Sequence, residues 1–143
     1  MQRTVAKLIE EKGSDVWSIV PDASVYEALE FMADKNVGAL VVLEGEELVG
    51  IVSERDYARK VILLSRGSKE TPVSEIMSPH PITVAPIATT GECMELMTEH
   101  RFRHLPVMHG TRVIAVISIG DVVRAVIEEQ QFLIDQLENY ITH

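Results

Sequence analysis

A single cysteine, Cys93, stands in 143 residues, so no disulfide framework holds this chain together and a reducing compartment is its natural setting. Basic residues are also few. Thirteen Lys and Arg face 22 Asp and Glu, and the net charge of −9 argues against general nucleic-acid binding and against an anionic membrane surface. No apolar run approaches the length of a membrane span, and Met1-Gln2-Arg3-Thr4 leads into charged residues without a signal-peptide pattern. The cytoplasm is therefore the expected location. Neither a Ser-His-Asp order, a P-loop nor a dinucleotide GxGxxG occurs, which leaves catalysis without a positive signal.

What is present describes a folded chain. It is 46% apolar and 24% charged with positive mean hydropathy, and its length suits one ordinary domain or two small units sharing a core. Sliding the sequence on itself reveals the second arrangement. From Ile19–Ile62 to Val84–Ile127 the chain repeats at an offset of 65 residues without a gap. Pro21 meets Pro86, Glu27 meets Glu92, Met32 meets Met97, Leu40 meets Leu105, Gly45 meets Gly110, Ser53 meets Ser118, Asp56 meets Asp121 and Arg59 meets Arg124. A similar lead-in precedes each copy, Thr4–Ile9 and Pro72–Met77.

Each copy parses alike. Short extended segments, Trp17–Val20 and Ile82–Ala85, are closed by Pro21 and Pro86. Ser24-Val25-Tyr26-Glu27 and Thr89-Thr90-Gly91-Glu92 then supply capping boxes for a first helix. Two strands follow around a glycine turn, Ala39–Leu43 with Leu48–Val52 and Leu105–Met108 with Val113–Ile117. A second helix opens near Ser53 or Ser118. The expected fold is mixed α/β (α+β), two β-α-β-β-α units related by a pseudo-twofold and packed into one module, because a lone unit buries too little to be secure. The expected divisions are 1–66, 67–128 and a tail at 129–143, with the polar stretch Ser65–Pro72 as a linker. In the tail, Val123, Val126, Gln130, Leu133, Leu137 and Tyr140 alternate spacings of three and four, flanked by Ile127, Ile134 and Ile141. That pattern predicts a long helix from about Asp121 to Ile141, either folded back on its own domain or contacting another subunit.

The two second-helix starts carry the candidate chemistry. Gly50-Ile51-Val52-Ser53-Glu54-Arg55-Asp56 recurs loosely as Ala115-Val116-Ile117-Ser118-Ile119-Gly120-Asp121. A strand running into a helix N-terminus gathers free N–H groups and the positive end of the helix dipole, ground suited to an anion. An Asp there can accept both hydrogen bonds of a ribose diol while Ser and the amides serve phosphate. Ser-x-x-Asp is equally the spacing of a capping box, although Asp is expected to curl back less well than Glu. Arg101-Phe102-Arg103-His104 is the one concentrated cationic run. Arg101 reads as a solvated helix end, whereas Arg103 and His104 enter a strand, where an anion partner is plausible. Arg55 either reaches the same phosphate or pairs with Glu54 or Glu10. His100, His104 and His109 lack the cysteines or clustered carboxylates of a first metal shell, and Cys93 sits on an apolar helix face as a core residue.

Together these motifs resemble the tandem CBS (cystathionine-beta-synthase) domain pair, or Bateman module. The likeness rests on Ile19-Val20-Pro21 and Val84-Ala85-Pro86, on Gly38–Val42 and His104-Leu105-Pro106-Val107, and on both Ser-x-x-Asp endings. It implies a disc with two pseudo-symmetric clefts between the units and a regulatory, non-catalytic role. The implied ligand is an adenosine compound (AMP, ADP, ATP, NAD or S-adenosylmethionine), with no cofactor or metal required. By that resemblance Ser53, Asp56, Ser118 and Asp121 take ribose and phosphate. Ser18, Ile19, Val20, Val37, Gly38, Ala39, Thr83, Val84, Arg103 and His104 hold the base. A homodimer and an effector protein of unknown identity are the implied partners. Ala115 departs from the family's preferred Gly, which predicts a less close approach of a ligand there. Glu54-Arg55 against Ile119-Gly120 predicts two unequal sites.

Overall fold

The computed structural model describes residues 3–142; Met1 and Gln2 of the N-terminal reading and His143 of the tail lie outside them. The elements run α1 (Val5–Lys12), β1 (Ser18–Ile19), α2 (Val25–Lys35), β2 (Ala39–Glu44), β3 (Glu47–Ser53), α3 (Glu54–Tyr57), β4 (Ser78–Pro79), α4 (Thr90–His100), β5 (His104–His109), β6 (Arg112–Ser118) and α5 (Ile119–Thr142). A π-helical turn, Ala58–Ile62, continues α3. The mixed α+β class and the long C-terminal helix are as predicted.

Packing groups the chain into two units, one of Val16–Ile82 with Gly110–Val113, the other of Met1–Asp15, Thr83–His109 and Ile114–His143. The sequence division at 66/67 marks the repeat, whereas packing follows the lead-ins, each of which joins the copy it does not precede. Val73 and Ile76 of the second lead-in are fully buried with Val25, Met32, Leu40, Val52 and Val61 of the first copy. Val5 of the first lead-in is buried in the other unit and donates its N–H to the Ala88 carbonyl at 2.7 Å. Ser65–Pro72 is also more than a linker. Thr71 is buried and donates its hydroxyl to the Gly67 carbonyl, and the Ser68 and Thr71 carbonyls accept the N–H groups of Tyr26 and Val25. Those bonds satisfy the first orphan donors of α2.

The first-copy unit holds a four-stranded sheet in the order β1-β2-β3-β4, with β1 parallel to β2 and the other pairs antiparallel. The second copy forms a two-stranded sheet, β5-β6, and the extended segment expected at Ile82–Ala85 contributes a single bridge, Val84 to Val107. The reason is one residue. Val84 donates to the Pro106 carbonyl and accepts from Met108, and the next rung would need an N–H from Pro106, which has none. The equivalent position in β2 is Val41, so β1 gains the extra rung, Ser18 with Val41.

Candidate functional site: the two Ser-x-x-Asp turns

In the first-copy unit, β3 ends at Ser53, registered with Ala39 of β2. The Gly38 carbonyl accepts the Glu54 N–H at 3.1 Å. The Asp56 N–H donates to Ser53 Oγ at 3.2 Å, and Asp56 Oδ2 accepts the Ser53 N–H at 2.9 Å and its hydroxyl at 3.1 Å. Asp56 Oδ1 faces Lys60 Nζ at 3.5 Å, and Lys60 donates to the Ile76 carbonyl. Gly38 and Ala39 thus lie against Glu54 and Ser53, and Val37, Gly38 and Glu54 line a cavity of about 320 Å3 with Met32 and Asn36. Ser18 and Ile19 sit one strand away in β1, and Val20 lies beyond it, exposed. Arg55 is exposed and pairs with neither Glu54 nor Glu10 among the described residues.

The second-copy unit repeats this geometry at the same offset. The Arg103 carbonyl accepts the Ile119 N–H at 2.8 Å, Asp121 Oδ2 accepts the Ser118 N–H at 2.8 Å, and Ser118 Oγ accepts the Asp121 N–H at 3.1 Å. Here Lys12 Nζ, from α1, also donates to Asp121 Oδ2 at 2.6 Å and to the Val116 carbonyl at 2.9 Å, and Arg124 stands 3.7 Å from Asp121 Oδ1. Burial pushes the Asp121 carboxyl up, but the Lys12 and Ser118 hydrogen bonds outweigh it and hold the group below its ordinary value. A groove of about 200 Å3 beside it is lined by Arg3, Lys12 and Arg124 and by Glu11, Asp121 and Glu128, so its cations are matched by carboxylates. Thr83 is exposed and Val84 buried.

Two expectations about these residues are corrected and two further points are sharpened. Asp was expected to curl back poorly, yet both Asp residues complete the reciprocal box. Glu27 and Glu92 do not: there the hydroxyls of Ser24 and Thr89 accept the N3 amide and only that half forms. Second, Arg103 does not enter a strand; it precedes β5, exposed, and offers its backbone carbonyl, while His104 opens β5 half-buried. Burial lowers the His104 pKa, with Lys12 and Arg103 acting in the same direction and Asp121 opposing. Third, Gly50 is packed closely by β4 and the residue before it. A Cβ there would stand 2.5 Å from Met77 Sδ and 3.1 Å from the Ser78 carbonyl, whereas β6 has no such strand at its side and Ala115 fits, buried. Fourth, of the two readings left open for the tail, folding back on its own domain does not occur: from Gln131 to Thr142 every residue is exposed.

Lys12 and Lys60 went unnoticed in the sequence. Lys60 is four residues past Asp56 on the same helical run, a spacing that brings side chains together; Lys12 is 109 residues from Asp121 and carries no local signal. Cys93 is the core residue expected: it is fully buried, and burial, then Glu92, pushes its thiol up to about 11. Among the described residues no group of three or more His, Cys, Asp or Glu could hold a metal ion, and no helix is long and apolar enough to cross a membrane.

A repeated strand–turn–helix site on a duplicated α+β unit defines the class, and the comparisons agree. The CBS domain family model matches residues 6–63 and 73–128. The chain is 41% identical over 148 residues to the mitochondrial CBS domain-containing protein CBSX3 of Arabidopsis thaliana, covering 96% of this chain and 71% of that protein. A protein with CBS domains from Burkholderia ambifaria superposes with a TM-score of 0.86 at 49% identity, over 90% of this chain and 96% of that one. The CBS domain protein PAE2072 from Pyrobaculum aerophilum, solved in complex with AMP, does so at 0.74 and 27% identity, over 83% and 89%. This chain belongs to the CBS-domain family and carries two CBS domains.

Proposed function

We propose that the chain is a non-catalytic regulatory module whose Ser-x-x-Asp turns bind an adenosine-containing ligand: AMP, ADP, ATP, NAD or S-adenosylmethionine. The observation that carries this reading is the recurrence of one hydrogen-bonded turn in both units, strand-end Ser, Asp folded onto its amide, and the first helical N–H given to the carbonyl that leads into the neighbouring strand. In each turn the second amide, of Arg55 or Gly120, has no hydrogen-bond partner among the described residues and is the donor open to a ligand oxygen. The AMP complex of PAE2072 shows that a protein of this fold takes such a ligand. In this reading Ser53 and Asp56, and Ser118 and Asp121, meet ribose and phosphate. Val37, Gly38, Ala39, Ser18, Ile19 and Val20, with Thr83, Val84, Arg103 and His104 in the other copy, line the base. Arg55 is exposed and free to reach a phosphate. The boundaries 1–66, 67–128 and 129–143 serve as the functional parts, and the module works as a cytoplasmic homodimer that reports to a separate effector protein.

A second reading, a dimerising and docking protein with no ligand, is favoured by one feature, the uncovered apolar face of α5. Thermal unfolding separates the two. Protein shown by mass spectrometry to be ligand-free, heated with each of the five compounds at millimolar concentration, is expected to rise in Tm with at least one. No rise with any of them rejects the sensor and leaves the docking protein.

A further inference from the structure

Gln130 and Leu133 of α5 still border α4, lining a shallow groove with Thr90, Gly91 and Met94, and beyond Leu133 no pocket or hydrogen bond to another element is found among the described residues. Leu133, Ile134, Leu137, Tyr140 and Ile141 are 52%, 47%, 55%, 84% and 80% exposed. In heptad terms Gln130 and Leu137 occupy a, Leu133 and Tyr140 occupy d, and Ile127, Ile134 and Ile141 occupy e, whereas g holds Glu129 and Gln136. A seam that is apolar at e and polar at g does not suit a parallel pair, in which e of one helix faces g of the other. An antiparallel pair sets e against e and g against g. We propose that a second copy of this chain covers this face, the two α5 tails pairing antiparallel about Asp135.

The register follows from matching the layers. Leu137 of each copy packs on Leu133 of the other, Ile134 meets Ile134, and Ile127 meets Ile141. The one polar core position, Gln130, falls opposite Tyr140, where amide and phenol can hydrogen-bond. The neighbouring antiparallel registers, one heptad either way, set Gln130 against Leu133 or beyond the helix end.

Charge and area both favour a second copy over a foreign helix. From Gln130 onward the a, d, e and g positions carry no charge, so nothing on the seam repels its own copy or selects an oppositely charged partner. The acids lie elsewhere: Asp135 at f, Glu138 at b, Glu128 held by Arg3, and Glu129 engaged by Thr90 Oγ and the Arg3 N–H. The exposed a, d and e side chains amount to on the order of 700 Å2 per chain, and twice that for the pair is within the range of specific interfaces. The inference rests on the homodimer reading and adds its contact and direction.

Two measurements on the full chain test it. By light scattering coupled to gel filtration, the wild type is a dimer at tens of micromolar, and Leu133→Asp/Leu137→Asp is a monomer whose Tm is unchanged within a few degrees, because neither side chain belongs to a core. Under mild oxidation Ile134→Cys forms a disulfide-linked dimer, while Leu137→Cys alone does not; buried Cys93 is a silent background. A wild-type monomer overturns the homodimer itself. A dimer that survives both aspartates overturns the tail contact alone, and self-linking of Leu137→Cys without Ile134→Cys overturns the antiparallel direction.

Discussion

Asp56 and Asp121 occupy equivalent turns with nearly the same hydrogen bonds, and they live in different electrostatic settings. Asp56 has one cation at 3.5 Å, supplied by its own helical run. Asp121 has Lys12 at 2.6 Å, brought from α1, and Arg124 at 3.7 Å. Local sequence specifies the turn; the tertiary fold decides what charge the turn presents. A carboxylate already bonded to an ammonium group offers less to a ribose diol, so the proposed function predicts tighter ligand binding at the first-copy turn. In the second copy the same residues fasten α1 to the start of α5.

The largest effect expected from breaking this comparison is on stability. Asp121→Ala removes the box and the Lys12 hydrogen bond from a carboxylate whose side chain is 12% exposed, and is expected to cost about 3 kcal/mol, against about 1.5 kcal/mol for Asp56→Ala. Urea denaturation of the two variants measures the gap, and equal losses would mean that Lys12 adds nothing. Next come the strand positions. Gly50→Ala drives a methyl into Met77 and the Ser78 carbonyl and should cost about 2 kcal/mol, whereas Ala115→Gly loses a buried methyl and stiffness for about 1.5 kcal/mol. If Gly50→Ala is neutral in stability and weakens ligand instead, the glycine serves the ligand after all.

The smallest effect is in pH. His104 stands where the first copy has Ala39, and its pKa is lowered from 6.5 by burial, with Lys12 and Arg103 assisting. The folded state then binds fewer protons than the unfolded one, so this stabilisation is complete above pH 6.5 and is lost as pH falls through the folded value. Asp121 follows the same sign lower down: its contribution is complete above 3.8 and disappears as pH falls through its depressed pKa. Wild type is expected to lose stability between pH 7 and 5 through His104, and His104→Ala to lose none of that increment. Parallel pH profiles of the two proteins would show that His104 is not the source.

Much of this fold was legible because duplication doubles every signal. One helix, two strands and a motif read at one offset gain support from the same pattern at the other, and the spacing of Leu133, Leu137 and Tyr140 marked α5 over nearly its whole length. The misreadings share a cause, a partner distant in sequence. Pro106 reduced the strand around Val84, 22 residues before it, to a single bridge, Met77 packed against a glycine at position 50, and Lys12 claimed a carboxylate in the other copy. The lead-ins looked like attachments to the copies they precede because nothing local says which core Val5 or Val73 enters.

The most direct test of the central claim is calorimetry of AMP against the ligand-free wild type, Asp56→Ala and Asp121→Ala. The account predicts binding by the wild type, a loss of roughly ten- to a hundredfold in affinity for Asp56→Ala, as charge-assisted hydrogen bonds to a ribose would give, and a smaller loss for Asp121→Ala. Unchanged affinity in Asp56→Ala would contradict it and return the Ser53–Asp56 turn to the role of a helix cap.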